Sequence, residues 1–175
     1  TELISKSTAG VLTNQATDIG DISFDGSRVV MSTTATTLGG AVALGSSNIY
    51  VRNRTAGTTT LVSQPSGTAD ASGNGTSLRS TITDDGSQVA FMSNATNLSP
   101  DHPAATFQVY VRDLGSASTT LVSRAASGAP ADSSAADPVI SGDASILVFR
   151  SGATNLDGPG AADDQAYVRH MATGV

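Results

Sequence analysis

The chain has 175 residues, enough for one domain with a single core, and its low content of charged (14%) and aromatic (4%) residues argues against a helical bundle, a coiled coil or charge-driven disorder. Its net charge of −6, with Lys6 as the only lysine, argues against a nucleic-acid-binding surface, and the absence of Cys excludes disulfides and thiolate sites. No apolar run approaches the ~18 residues of a membrane helix, so we expect a soluble all-β protein without membrane insertion.

The first predicted strand, Glu2 to Ile4, is short, and three longer units follow it. Each unit opens with a strand A, a tight turn and a strand B rich in Val, Ile and Phe. The Asp-Gly pairs at 25–26 and 85–86 supply the positive φ angles that a two-residue hairpin requires. The predicted A strands are Asp21 to Phe24, Thr81 to Thr83 and Val139 to Ser141, and the B strands are Arg28 to Ser32, Gln88 to Met92 and Ile146 to Phe149.

Strand C of each unit carries the string Tyr-Val-Arg, which begins at Tyr50, Tyr110 and Tyr167, at intervals of 60 and 57 residues. Strand D carries Leu-Val-Ser in the first two units, whereas the third unit has no D strand after its strand C. The matching string Leu3-Ile4-Ser5 lies at the other end of the chain. The predicted C strands are Ile49 to Arg52, Val109 to Arg112 and Ala166 to Arg169, and the D strands are Thr59 to Val62, Thr119 to Val122 and, out of order, Glu2 to Ile4.

This order of motifs predicts a single domain, residues 1–175, built from three repeats. The repeats span about 19–63, about 78–123 and about 137–175, and residues 1–5 complete the third one.

The repeated order Ser-x-Asp-Gly, apolar strand, Tyr-Val-Arg-Asp and Thr-Thr-Leu-Val-Ser resembles the WD40-like repeat of TolB-type β-propellers. The resemblance covers essentially the whole chain in three copies. Asp143-Ala144 departs from the Asp-Gly of the family, and the Pro that is common before this Asp is missing from all three copies. The resemblance implies an all-β propeller with one blade of four antiparallel strands per repeat, and it says little about function.

Three blades cannot close a ring, because propellers have about four to eight. We expect two copies of the chain to form a six-bladed ring, in which each gives its N-terminal strand to the third blade of the other. A piece of a longer propeller and another threefold fold, such as a β-trefoil or a β-prism, are the alternatives. A trefoil would have shorter repeats, and its lectins typically carry a Gln-x-Trp signature, whereas this chain has no Trp.

Candidate ligand-binding residues lie in the long loops between strands B and C. In a propeller these B–C loops share one face with the linkers between strand D and the next strand A, and binding residues are often placed on such loops. The candidates are Asn97, Asp101, His102 and Asn155.

An acidic cluster in the third B–C loop, Asp157, Asp163 and Asp164, is the candidate metal site. Loop carboxylates of this kind bind Ca²⁺, although the spacing departs from the EF-hand pattern and a solvated acidic loop is the alternative. We expect no other cofactor.

The residues that recur in every unit point to architecture. We expect Asp25, Asp85 and Asp143 to cap turns, and Arg52, Arg112 and Arg169 to join strands or blades by hydrogen bonds.

Catalysis is not favoured by the sequence. A Ser-His-Asp site needs a His beside a nucleophile, and the repeat places His102 and His170 on opposite faces. We therefore expect a non-catalytic scaffold or binding module, natural or engineered, whose ligand is a protein, a peptide or a glycan. A divergent propeller hydrolase or lyase and a glycan-binding lectin are the alternatives. The composition suits an extracellular or periplasmic bacterial protein, and an engineered repeat protein would have a similar one.

Overall fold

The computed structural model describes residues 1–68, 70–101, 106–156 and 164–174. Across these ranges the chain forms eleven β-strands and no helix long and apolar enough to cross a membrane. The strands are β1 (Thr17–Ile22), β2 (Arg28–Thr33), β3 (Asn48–Asn53), β4 (Thr58–Leu61), β5 (Ser77–Ile82), β6 (Gln88–Ser93), β7 (Gln108–Asp113), β8 (Ser118–Leu121), β9 (Ala135–Ile140), β10 (Ile146–Ser151) and β11 (Gln165–His170).

The strands form three antiparallel sheets, in which each strand pairs with its neighbour in the chain. We refer to them as blade 1 (β1 to β4), blade 2 (β5 to β8) and blade 3 (β9 to β11). The all-β class is confirmed. Blade 3 contains three strands in the described part of the chain. The predicted strand Glu2 to Ile4 pairs with none of the three sheets in the described residues, and its placement in a second copy stays a prediction.

The predicted bounds of strand A were wrong in all three blades. In blade 1 the strand is Thr17–Ile22, four residues earlier at its start than the sequence indicated. The reason is an irregularity in the register of every first strand, between Ile19 and Asp21 in blade 1 and between Leu78 and Thr81 in blade 2. In blade 3 the shift lies opposite Val148 to Arg150. A bulge of this kind breaks the alternation of apolar and polar residues by which a strand is recognised.

The turn between strands A and B is longer than the predicted two-residue hairpin. In blade 1 it spans 23–27, and Gly26 alone has a positive φ, 69°. Asp25 instead caps the turn, since its Oδ1 accepts hydrogen bonds from the Ser27 amide (2.9 Å) and the Ser23 hydroxyl (2.8 Å). Asp85 and Asp143 make the same bonds in blades 2 and 3. The predicted capping role of the recurrent Asp is therefore confirmed.

Ala144 occupies the left-handed position of the third turn with a φ of 61°, where the other two turns have Gly. We expect Ala144→Gly to raise the free energy of unfolding by roughly 0.5 kcal/mol, because relief of the Cβ strain exceeds the added entropy of the unfolded chain. Gly26→Ala should lower the free energy of unfolding by about 1 kcal/mol, because Ala is strained at this positive φ. The new Cβ would not clash, since its nearest neighbouring atom is 3.6 Å away. Urea unfolding measures both changes. A loss of stability in Ala144→Gly, or no loss in Gly26→Ala, would contradict this interpretation of the turn.

The core lies between the blades. One buried cluster joins blade 1 to blade 2 and includes Val30, Val51, Phe91 and Tyr110. A second joins blade 2 to blade 3 and includes Val111 and the Phe149 side chain, which stacks on Tyr167. The blades are therefore packed face to face around shared apolar layers.

The recurrent Arg side chains join strands to the linkers that precede each blade. The Arg112 Nη1 donates to the carbonyl of Gln64 (3.2 Å) and to the hydroxyl of Thr119 (2.9 Å). Arg52 donates to the hydroxyl of Thr59 (3.0 Å), as Arg112 does to that of Thr119, and to the carbonyl of Ser7 (3.3 Å). The Ser7 bond corresponds to the bond from Arg112 to the carbonyl of Pro65 (3.4 Å). These bonds confirm the predicted architectural role of Arg52 and Arg112.

Candidate binding site on the loop face and the inner strands

The B–C loops and the D–A linkers share one face, as predicted, and hydrogen bonds join the two sets of loops. In blade 2 the Asn74 Oδ1 accepts the Thr96 amide (2.7 Å), and the Asn74 Nδ2 donates to the Thr96 hydroxyl (2.9 Å). Asn14 holds Thr36 in the same way in blade 1. In blade 3 an Asp takes the place of the Asn, and Asp132 accepts bonds from the Thr154 amide and hydroxyl. We call these three pairs the loop bridges.

Asn97 and Asn155, two of the predicted ligand-binding residues, lie next to the loop bridges. The Asn97 Oδ1 accepts the Asn74 amide at 2.9 Å. The Asn155 Oδ1 accepts the Asp132 amide (3.1 Å), while its Nδ2 donates to the Pro130 carbonyl (2.8 Å). Both side chains thus hold the loops together. Their binding of a ligand stays a prediction.

Asp101 forms an ion pair with Arg124, with 2.7 Å between the Oδ2 and Nη2 atoms. His102, its predicted neighbour in the site, lies outside the described residues. The structure therefore gives a position for the carboxylate alone.

Of the acidic cluster, Asp157 and Asp163 lie outside the described residues, and Asp164 pairs with the Arg150 guanidinium. Arg150 also donates to the Asp137 carboxylate at 2.5 Å. Within 1–68, 70–101, 106–156 and 164–174, no three His, Asp or Glu side chains are grouped to hold a metal ion. Binding of Ca²⁺ at this loop stays a prediction.

The first strands of the three blades converge. The Asp21 Oδ2 accepts the backbone amide of Ile82 (3.0 Å), and the Thr81 hydroxyl accepts the amide of Ile140 (3.2 Å). Between them lies an open cavity of about 670 Å³. Its lining comes from all three strands and includes Asp18, Ile19, Leu78, Arg79, Asp137 and Val139.

The bulges of β5 and β9 direct charged side chains at this cavity. Arg79 and Asp137 occupy equivalent positions in the two strands, and both have left-handed backbones, with φ of 53° and 51°. Their side chains form a long ion pair, 3.6 Å between Nε and Oδ1, and that of Arg79 is 71% exposed. Asp137 also pairs with Arg150, and Arg79 is the cation among the lining residues of this cavity. Left-handed residues other than Gly are strained, and such strain is typical of functional sites.

Neither the loop bridges nor Arg79 and Asp137 were predicted as site residues. The loop bridges have a signal in the sequence, because Asn14, Asn74 and Asp132 follow one another at intervals of 60 and 58 residues. No pattern in the sequence indicates that Arg79 is exposed, because its exposure depends on the irregular register of β5 between Leu78 and Thr81.

Hydrogen bonds lower the pKa of the Asp carboxylates in the A–B turns and of the Asp carboxylate in the third loop bridge. The Ser141 hydroxyl and then the Ser145 amide hold the pKa of Asp143 at about 2, below the ordinary value of 3.8. The Ser27 and Ser87 amides lower the pKa of Asp25 and of Asp85. In the third loop bridge the Thr154 side chain is the largest cause of the lowered pKa of Asp132.

These carboxylates bind a proton more weakly in the folded chain than in the unfolded chain, so the stability they provide is present above their unfolded pKa and is lost as the pH falls through the folded one. We expect the free energy of unfolding to fall as the pH is lowered from about 4 to about 2. The Asn side chain of the Asp143→Asn variant keeps an oxygen acceptor but does not titrate. The free energy of unfolding of this variant should therefore fall less than that of the parent chain over the same pH range. Urea unfolding at a series of pH values measures this difference, and identical pH profiles would contradict it.

The three packed antiparallel sheets, with converging first strands and loops on one face, define a β-propeller. A candidate TolB from Agrobacterium tumefaciens is similar in structure, with a TM-score of 0.58, 17% identity, and coverage of 91% of this chain and 47% of that one. TolB from Acinetobacter baumannii is similar with a TM-score of 0.54 and 17% identity, over 93% of this chain and 31% of the other. The tricorn protease is similar with a TM-score of 0.55 and 14% identity, over 92% of this chain and 14% of the other.

The chain spans less than half the length of these three proteins. A scan against protein-family models finds no match, and a search of curated proteins finds no matching sequence. The structural similarities establish the propeller fold.

Proposed function

We propose that the chain is a non-catalytic binding module that supplies three blades of a six-bladed propeller and holds the anionic group of a peptide, protein or glycan ligand at its inner strands. The observation that carries this proposal is Arg79, a strained and exposed cation on the wall of the cavity between β1, β5 and β9. A guanidinium presents a planar set of donors that suits a carboxylate. Leu78, Ile19 and Val139 offer apolar contacts beside it.

The recurrent polar residues support a binding role over a catalytic one. The turn Asp, the blade Arg and the loop bridges are all used to hold the blades and loops in place. These bonds hold in place the blades whose first strands form the cavity wall, and a site that is organised before binding favours recognition of a ligand. We also propose that the protein works outside the cytoplasm, in the periplasm or the extracellular space of a bacterium.

A titration with a short apolar peptide tests whether the site binds a carboxylate. The probe carries a free C-terminal carboxylate, and its amidated form is the control. We expect the free peptide to shift the amide resonances of Leu78 to Thr81 and the amidated peptide to shift them much less. Arg79→Gln should abolish the difference. Equal shifts from both peptides, or shifts confined to other strands, would overturn the proposal.

A further inference from the structure

We infer that a cavity between blades 1 and 2 binds a small anion with two negative charges, such as a phosphate or a dicarboxylate. The cavity has a volume of about 250 Å³ and shares no lining residue with the cavity around Arg79. It is therefore a second site, and the inference does not rest on the proposed function.

The wall of this cavity comes from two blades that each have four strands. Blade 1 contributes residues of β2, β3 and β4, and blade 2 contributes residues of β7 and of the turn that follows it. In the described chain no residue before Arg28 or after Ala117 lines the cavity. Its shape is thus set by the packing of two complete sheets against each other.

The charged side chains of the wall are two guanidiniums, those of Arg28 and Arg112. No carboxylate of the described residues lines the cavity, and neither guanidinium forms an ion pair in the described chain. Arg112 is only 2% exposed, and burial lowers its pKa while Asp113 opposes the shift. Because a buried charge without a paired counter-charge is costly, an anion in the cavity would offset this cost.

Both guanidiniums keep donors that the chain does not use. The Arg28 Nη1 donates to the carbonyl of Gly86 at 2.6 Å, and the Arg112 Nη1 donates to the linker carbonyls and to the Thr119 hydroxyl. The Nε and Nη2 atoms of both side chains donate to no acceptor among the described residues. Nε and Nη2 form a fork that fits two oxygens of a carboxylate or a phosphate. Two such forks match an anion with two charges.

The guanidinium of Arg28 is not required by the repeated architecture. Arg28 pairs with Asn53 in β2 and β3, and the equivalent pair in β6 and β7 is Gln88 with Asp113. The equivalent place between blades 2 and 3 therefore has an uncharged amide and a carboxylate. Only the cavity between blades 1 and 2, of these two places, combines two guanidiniums with no acid.

The remaining wall limits the size and the character of the ligand. Val51, Leu61 and Leu114 offer apolar contacts, and Thr58 and Thr60 carry hydroxyls. Cavities for drug-sized ligands have about 300 to 1,000 Å³, so this one suits a smaller molecule. A short carbon skeleton that carries phosphate or carboxylate groups fits both the volume and the lining.

Succinate and inorganic phosphate are the probes, and succinamide, the uncharged analogue of succinate, is the control. At neutral pH and constant ionic strength, we expect at least one dianion to shift the amide resonances of Thr58 to Thr60 and Leu114 to Ala117. Succinamide and sodium chloride should leave these resonances unchanged. A response to succinate alone identifies a dicarboxylate ligand, and a response to phosphate alone identifies a phosphate ester. Arg79→Gln should not alter the response, because Arg79 lines the other cavity.

Ala117 is the position for a variant that supplies its own charge. It is exposed, and its φ of 54° is one that Asp and Asn adopt more readily than other residues. A Cβ at the equivalent Gly57 would lie 4.0 Å from the Arg52 Nη2, so a side chain at 117 lies beside the Arg112 guanidinium. Ala117→Asp should weaken dianion binding at least about tenfold by charge repulsion, and the uncharged Ala117→Asn should keep the affinity within about twofold.

Arg28→Gln removes one guanidinium and copies the residue that blade 2 has at this position, so the variant should fold. It should weaken dianion binding at least about tenfold, because the charge-assisted hydrogen bonds of one fork are lost.

The inference is overturned if neither dianion shifts the resonances of Leu114 to Ala117, or if sodium chloride shifts them equally. Equal affinities of Ala117→Asp and Ala117→Asn, or an unchanged affinity in Arg28→Gln, would overturn it as well. The peptide titration of the proposed function is followed at Leu78 to Thr81 instead. Each of the two proposals can therefore fail while the other holds.

Discussion

Phe91→Ala should lower the free energy of unfolding by about 4 kcal/mol. Phe91 is fully buried between blades 1 and 2, where it packs with Val30 and Val51 and stacks on Tyr110 with 5.8 Å between ring centroids. Its truncation removes a large apolar contact and leaves a cavity in a core that is held in place by strands on both sides. Urea unfolding at one fixed protein concentration measures the loss.

Phe91→Leu is the matched control, because it keeps most of the apolar volume and should cost less than half as much as the alanine variant. A loss of under 1 kcal/mol for Phe91→Ala would show that the blades do not share a packed core.

Arg112→Ala should lower the free energy of unfolding by roughly 2 to 3 kcal/mol. The side chain is buried, and burial lowers its pKa while Asp113 opposes the shift. Its bonds to Gln64 and Thr119 join β8 to the linker that enters blade 2. The alanine variant loses these charge-assisted bonds and the packing of the side-chain stem.

Arg112→Met separates the two causes, since it keeps an apolar stem and lacks every donor. If the hydrogen bonds dominate, the Met variant should be almost as unstable as the Ala variant. Equal stability of Arg112→Met and the parent chain would contradict the architectural role of the guanidinium.

The sequence located the strands that are buried along most of their length and misplaced the first strand of each blade. β2 and β3 were located to within one residue, because Val, Ile and Tyr mark their buried positions. The first strands were misplaced, because each contains an irregular register and polar residues such as Asp18 on its exposed side. The first two A–B turns were recognised by their Gly, but the length of a turn such as that of blade 1 depends on the side-chain caps of Asp25 and Ser23.

The candidate site was less predictable than the fold. Asn97 and Asn155 were chosen because they recur before variable loops, and the structure gives that recurrence a structural cause in the bonds to Asn74 and Asp132. Arg79 has no recurrent counterpart of the same type, since Ile19 and Asp137 fill the equivalent positions. Only the convergence of β1, β5 and β9 brings these three residues to one cavity.

Isothermal titration calorimetry with the apolar peptide that has a free C-terminal carboxylate, on the parent chain and on Arg79→Gln, tests the central claim, that the inner strands hold an anionic ligand at Arg79. We predict that the parent chain binds the peptide and that Arg79→Gln binds it at least about tenfold more weakly, because the guanidinium supplies the charge-assisted hydrogen bonds to the carboxylate. Equal affinities of the two proteins for the peptide would contradict the account.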